Sequence, residues 1–213
     1  MDSPSHASLN FLSLPVELRL KIYRFLLVIA RPSPGPESQA LSVDRPHPAI
    51  LRACKQIHGE ATPVLYGENI FFAHYAMLTS FPLLRGWFQP VKCTEPAKRI
   101  RRWWLRVRLD AGLPFAITTR GNSSTQTKLA EAFSGAEELV LELWQAMFKG
   151  MPASTVLQYF EAVRGVRKVR IFGSIIGYED YVAWLEKTMQ SPIGEVREPY
   201  TPSSDADDPS HWE

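Results

Sequence analysis

Three short segments of this 213-residue chain can be written beneath one another: IRRWWLRV from Ile100, AEELVLEL from Ala136 and VRKVRIFG from Val166. Small or apolar residues hold the first, fourth and sixth places of each: Ile100, Trp103, Leu105; Ala136, Leu139, Leu141; Val166, Val169, Ile171. The eighth place is Val107 and Leu143 in two of them and Gly173 in the third. Side chains alternate between the faces of a strand, so this spacing predicts three strands, each with one buried face. Helical segments, TQTKLAEAFSG and STVLQYFEAVRG, precede the second and third blocks. Each ends at a glycine, Gly135 or Gly165, which suits the left-handed position after a helix. Strands about thirty residues apart with helices between them are βαβ units, and their sheet is parallel. The expected fold class is therefore mixed α/β. A short leucine-rich-repeat-like stack with sequential strand order is preferred over a doubly wound sheet, because the period lies near that of αβ solenoids. A further helix is expected from about Glu179 to Met189.

The same register predicts what the other face of the sheet carries. Its rows are Arg102, Glu138, Lys168; Trp104, Val140, Arg170; and Arg106, Glu142, Phe172. Opposite charges meet in two of the three rows, and such cross-strand pairs are mildly stabilising. The run KRIRRWWLRVR, Lys98 to Arg108, holds six positive charges and no acid. Glu138 and Glu142 offset part of that field, and the whole chain carries only +2, so nucleic acid is a disfavoured partner. The face formed by Arg102, Trp104, Arg106, Arg108, Arg170 and Phe172 reads either as an intramolecular ion-pair face or as a protein-binding face around Trp104, where arginine beside tryptophan is hot-spot chemistry.

The N-terminal part has helical periodicity instead. In LSLPVELRLKIYRFLLV the residues Leu14, Leu18, Ile22, Phe25, Leu26 and Ile29 recur at steps of three and four, on a helix opened by Pro15 and capped by Ser13. A second stripe, Ile50, Leu51, Cys54, Ile57 and Ala61, lies on a helix from about Ala49 to Ala61, and the two stripes are expected to pack on each other. Glu60 lies beside that stripe and needs a cation, which Arg19 or Arg24 would supply as a clamp between the helices. Residues 31–48 hold five prolines and read as a long loop. Thr62 and Pro63 read as the start of a short third helix ending at Gly67, and Gly59 should cost about 1 kcal/mol relative to alanine unless close packing needs the space. Asn69 to Ala73 reads as a strand and His74 to Phe88 as a helix restarted at Pro82. The organisation expected is a loose N-terminus over 1–12, a helical head over 13–68, an αβ domain over 69–189 and a disordered acidic tail over 190–213.

LPVELRLKIYRFLL followed by LRACKQIHGEATPVLYGENIFF resembles the fungal F-box-like proteins, which open with LPxELRxxIYxxLL and continue with CxQIxxEAxxxLYxxN. The resemblance implies an F-box-like helical head. By analogy with true F-box proteins it also implies docking onto the small linker subunit of a cullin-RING ubiquitin ligase. Leu14 and Pro15 fall on the leucine and proline that open an F-box, and Leu18, Ile22 and Leu26 on its following apolar positions.

Chemistry-bearing constellations are sparse. Cys54 and His58 share a helical face, but two further ligands are missing from any nearby spacing, so a packed thiol is expected rather than zinc. No nucleophile–base–acid set and no lysine-bearing phosphate loop can be read, since GMPAST lacks the lysine and the spacing. The expectation is a non-enzymatic protein without cofactor. Two cysteines without framework spacing fit a reducing compartment, cytosol or nucleus; MDSPSHASLN has neither a basic start nor an apolar run, so it is not expected to act as a signal peptide, and no apolar run reaches the length that spans a bilayer.

Overall fold

The computed structural model describes residues 10–29, 46–74, 82–84, 89–109, 122–145 and 152–201. The chain divides into two compact units, Met1–Asn69 and Ile70–Glu213.

In the first unit a single 3-10 turn, Phe11–Ser13, leads into helix α1, Val16–Leu27. Leu14 and Pro15 between them are extended, so Ser13 lies too far upstream to cap the helix. Its hydroxyl donates to the Asn10 carbonyl at 2.6 Å, and the Pro15 carbonyl accepts from the amides of Leu18 and Arg19, both at 3.1 Å. A second 3-10 segment, Pro48–Arg52, precedes helix α2, Lys55–Glu68. The helix expected from Ala49 is thus split, and Cys54 is its exposed N-cap. No new helix starts at Thr62 either. Pro63 sits inside α2, where the amide it lacks would have met the carbonyl of Gly59. That residue is exposed, which leaves its carbonyl open to water. The Thr62 hydroxyl donates to the His58 carbonyl at 2.6 Å in the same turn.

In the second unit, strands β1 (Ile70–His74), β2 (Arg102–Arg108), β3 (Glu138–Trp144) and β4 (Val169–Gly173) form a parallel sheet in sequential order. Sequential order excludes the reversal that defines a doubly wound sheet. Arg102 pairs with Glu138, Trp104 with Val140, Arg106 with Glu142, Val140 with Arg170 and Glu142 with Phe172, which is the register the aligned blocks predict. β1 joins as a fourth strand, Ile70 beside Arg102 and Phe72 beside Trp104. Between and after the strands come helices α3 (Thr94–Ala97), α4 (Asn122–Phe133), α5 (Ala153–Leu157) and α6 (Glu179–Gln190). Trp103, Leu105, Val107, Leu139, Leu141, Leu143 and Ile171 are buried on one face, where Trp103 meets Phe133 of α4 edge-on at 5.5 Å.

Glycine geometry closes the repeats. Gly135 and Gly165 have φ of 74° and 69°, and Gly173 has 107°. A side chain at Gly173 would overlap the Leu143 carbonyl oxygen, which explains why the third block lacks an apolar eighth residue. The free edge of β4 is partly covered, because the Glu186 carboxylate of α6 accepts the Ile171 amide at 2.6 Å.

Three further expectations change. The helix predicted over 154–165 is α5 continued by the 3-10 turn Gln158–Phe160. Leu83 is extended and exchanges amide hydrogen bonds of 2.6 and 2.8 Å with Phe72, so no helix restarts at Pro82; the rest of 75–88 lies outside the described residues. The start of the acidic tail is also packed: Gly165 donates to the Ser191 carbonyl at 2.7 Å, and Tyr200 sits 5.1 Å from Tyr181 and 5.7 Å from Trp184. Aromatic and backbone contacts offset the chain entropy that its composition alone would leave free. Asp205, Asp207, Asp208 and Glu213 lie outside the described residues.

Candidate functional site

The side of α1 that is buried is not the side richest in aliphatic residues. Arg19, Tyr23 and Leu27, spaced four apart, are 8%, 0% and 0% exposed. The apolar stripe turns outward instead. Leu18 is 44% and Phe25 88% exposed, while Leu14, Ile22 and Leu26 are half-buried and Pro15 is exposed; only Ile29 at its end is buried. The expectation that Leu14, Leu18, Ile22, Phe25 and Leu26 pack the head is corrected. On α2 the corresponding stripe buries Ile57 and Ala61 but leaves Ile50 and Leu51 half-buried and Cys54 exposed.

The reason is polar. Arg19 Nε and Nη2 donate to the two oxygens of Glu60 at 2.9 and 2.7 Å, a bidentate pair between α1 and α2. The Tyr23 hydroxyl donates to Glu60 Oε2 at 2.9 Å and Gln56 Nε2 to Oε1 at 3.0 Å. Arg19 Nη1 reaches back to the carbonyls of Leu12 and Leu14, tying down the segment before the helix. Arg24 takes no part in this clamp and pairs with Glu68 at 2.9 Å on the surface. Hydrogen bonds from Arg19, then from Gln56, hold the Glu60 carboxyl at about 2, well below its usual 4.5. Burial and the bond to Glu60 push the Tyr23 hydroxyl up to about 12.

Asn69 forms a second lock at the other end of the helix pair. It is 2% exposed; Nδ2 donates to the carbonyls of Leu27 and Leu65, both at 2.9 Å, and Oδ1 accepts the Ile29 amide at 2.8 Å. One side chain thereby satisfies carbonyls at the C-terminal ends of both helices, which otherwise lack partners. Arg19, Tyr23, Gln56, Glu60 and Asn69 are the polar residues at defined positions of the two N-terminal motifs that form these locks. Of the apolar motif positions on α1, Leu18 is exposed, while Ile22 and Leu26 are half-buried.

On the sheet, the charged rows pair as their register requires. Arg106 meets Glu142 at 3.0 Å and Lys168 meets Glu138 at 3.4 Å, while Arg102 reaches the neighbouring Glu137 at 3.3 Å. Trp104 is not an exposed anchor. It is 6% exposed, stacked on Phe72 at 5.6 Å and edge-on to Phe172 at 5.9 Å, with Nε1 donating to Glu142 at 3.0 Å. Adjacent strands lie only about 5 Å apart, so rings from β1, β2 and β4 cover one another and the intervening Val140. Arg106 and Arg170 are exposed and Phe172 is half-buried, with the Arg170 guanidinium 5.1 Å from the Phe172 ring centre. The side chain of Arg108 lies outside the described residues.

The remaining candidates do not assemble. His58 Nδ1 is 3.0 Å from the Leu51 carbonyl, to which it donates as N–H, and Cys54 and Cys93 are exposed free thiols. Among the described residues no group of three or more histidine, cysteine or acidic side chains is placed to hold a metal ion, and no helix is long and apolar enough to cross a membrane. No protein-family model matches the chain, and no curated protein or solved structure matches it significantly.

Proposed function

We propose that this chain is a non-enzymatic interaction protein that docks through the outer side of α1 onto the linker subunit of a cullin-RING ligase. One observation carries the reading: α1 holds to α2 through Arg19, Tyr23 and Leu27, and this leaves Leu18 and Phe25 in solvent. A helix whose aliphatic side is partly exposed, while Arg19 and Tyr23 commit the opposite side to the fold, has apolar surface to offer a partner. The motif resemblance supplies the partner's identity. Leu14, Pro15, Leu18, Ile22 and Leu26 would meet the linker. In the second unit Arg106, Arg170 and Phe172 are, among the described residues, members of the sheet face that would contact a substrate protein, with Trp104 holding that face in shape rather than touching the substrate.

The test is co-purification of the full chain from its native cells, asking whether linker and cullin accompany it. Leu18→Asp adds a charge at a position 44% exposed and should abolish co-purification while the chain still unfolds in one cooperative transition, at a lowered denaturation midpoint. Absence of the linker from the wild-type sample, or its retention by the variant, would overturn the reading. Binding to phosphate backbones would instead fall steeply with salt, because each contact releases counterions.

A further inference from the structure

The second unit contains a cleft of about 580 Å³ between the segment around α3, the start of β2 and the end of α4. Its volume falls in the range of small-molecule sites, roughly 300–1,000 Å³. Ile100, Trp103 and Ala136 line it, each less than a tenth exposed. Lys92, Lys98, Arg101 and Glu131 bring charge to the same walls, and Ser134 a hydroxyl. Two of these cations belong to the basic run from Lys98 that the sheet face does not use.

Their engagements differ. Lys98 is neutralised by Glu95 at 2.8 Å. Lys92, Arg101 and Glu131 have no side-chain hydrogen bond or ion pair among the described residues. Ser134 Oγ accepts the Arg164 amide at 3.1 Å, which leaves its O–H free to donate. The walls therefore present two unpaired cations against one unpaired carboxylate, one net positive charge above an apolar floor. We propose that this cleft binds a small amphipathic monocarboxylate, its apolar body against Trp103 and Ile100 and its carboxylate on the Arg101 fork and Lys92. A guanidinium matches a carboxylate through two parallel N–H bonds, and the Ser134 hydroxyl adds a third donor. Glu131 opposes a second negative charge, so a dianion is the poorer ligand.

The probe is decanoate, titrated into the full chain by calorimetry, with decanol as the uncharged chain of equal length. Decanoate should bind saturably at one site per chain, and decanol about tenfold more weakly or worse, the loss expected for charge-assisted hydrogen bonds. The double change Lys92→Gln with Arg101→Gln should weaken decanoate by about tenfold or more and leave decanol unchanged. Ala132→Phe narrows the cleft from α4 without touching a charge and should weaken both ligands. The proposal fails if decanoate shows no saturable binding, or if decanol binds equally well. It also fails if either variant binds decanoate like the wild type, or if Lys187→Gln on the outer side of α6 weakens it as much.

Discussion

Phe25 and Leu27 are two residues apart on the same helix, yet truncating them should have unrelated consequences. Phe25 is 88% exposed, so Phe25→Ala removes only the small buried remainder of its surface. Taking about 200 Å² for a phenylalanine side chain, that remainder is roughly 25 Å². At about 25 cal/mol per Å² the loss is about 0.6 kcal/mol. Alanine's better helix propensity returns about 0.5 kcal/mol, so the net change in stability is near zero. Leu27 is fully buried, and Leu27→Ala should cost about 2–5 kcal/mol from lost transfer energy and the cavity left behind. Urea denaturation with matched slopes measures both, since a change in midpoint at constant slope is a change in stability. A loss above about 1.5 kcal/mol for Phe25→Ala, or below about 0.5 kcal/mol for Leu27→Ala, would mean that the aliphatic side of α1 is the packed one, and the docking argument would fall with it.

The Glu60 carboxyl is lowered in the fold from 4.5 to about 2, so its contribution is complete above pH 4.5 and is lost as pH falls toward 2; Glu60→Gln should flatten the denaturation midpoint across that window. Tyr23 shifts the other way, from 10 to about 12, so its contribution is complete below pH 10 and declines as pH rises toward 12, an arm that Tyr23→Phe should remove. Gly59 and Gly173 should separate cleanly in a thermal melt. Nothing lies within 4 Å of a methyl group added at Gly59, so Gly59→Ala should stabilise by about 0.5–1 kcal/mol, whereas Gly173→Ala meets the Leu143 carbonyl at positive φ and should lower the melting temperature. The Thr188 hydroxyl is buried without a hydrogen-bond partner among the described residues, so Thr188→Val should raise stability by about 1 kcal/mol in chemical denaturation.

The strands, their parallel register and the charged rows across them were legible in the chain, because side-chain alternation is a local property. Residues 103, 105 and 107 must share a face whatever surrounds them. Gly135 marked the end of α4 for the same local reason, the low steric cost of positive φ, whereas Gly165 shares that φ but lies five residues beyond the last helical turn. Likewise Glu60 announced its need for a cation, since a carboxylate near a packed stripe is costly alone. What periodicity could not tell was which side of α1 faces inward. That depends on Arg19 and Tyr23 finding Glu60 at a separation of some forty residues, and on Asn69 reaching Leu27 and Ile29. Nor could alternation show that Phe72 and Phe172, from other strands, would cover Trp104, or that Tyr200 would settle beside Tyr181 and draw the start of the tail into order. A side chain's face follows from its neighbours along the chain, but its burial follows from groups that only folding brings near, and on α1 those groups reward a guanidinium and a phenol over aliphatic carbon.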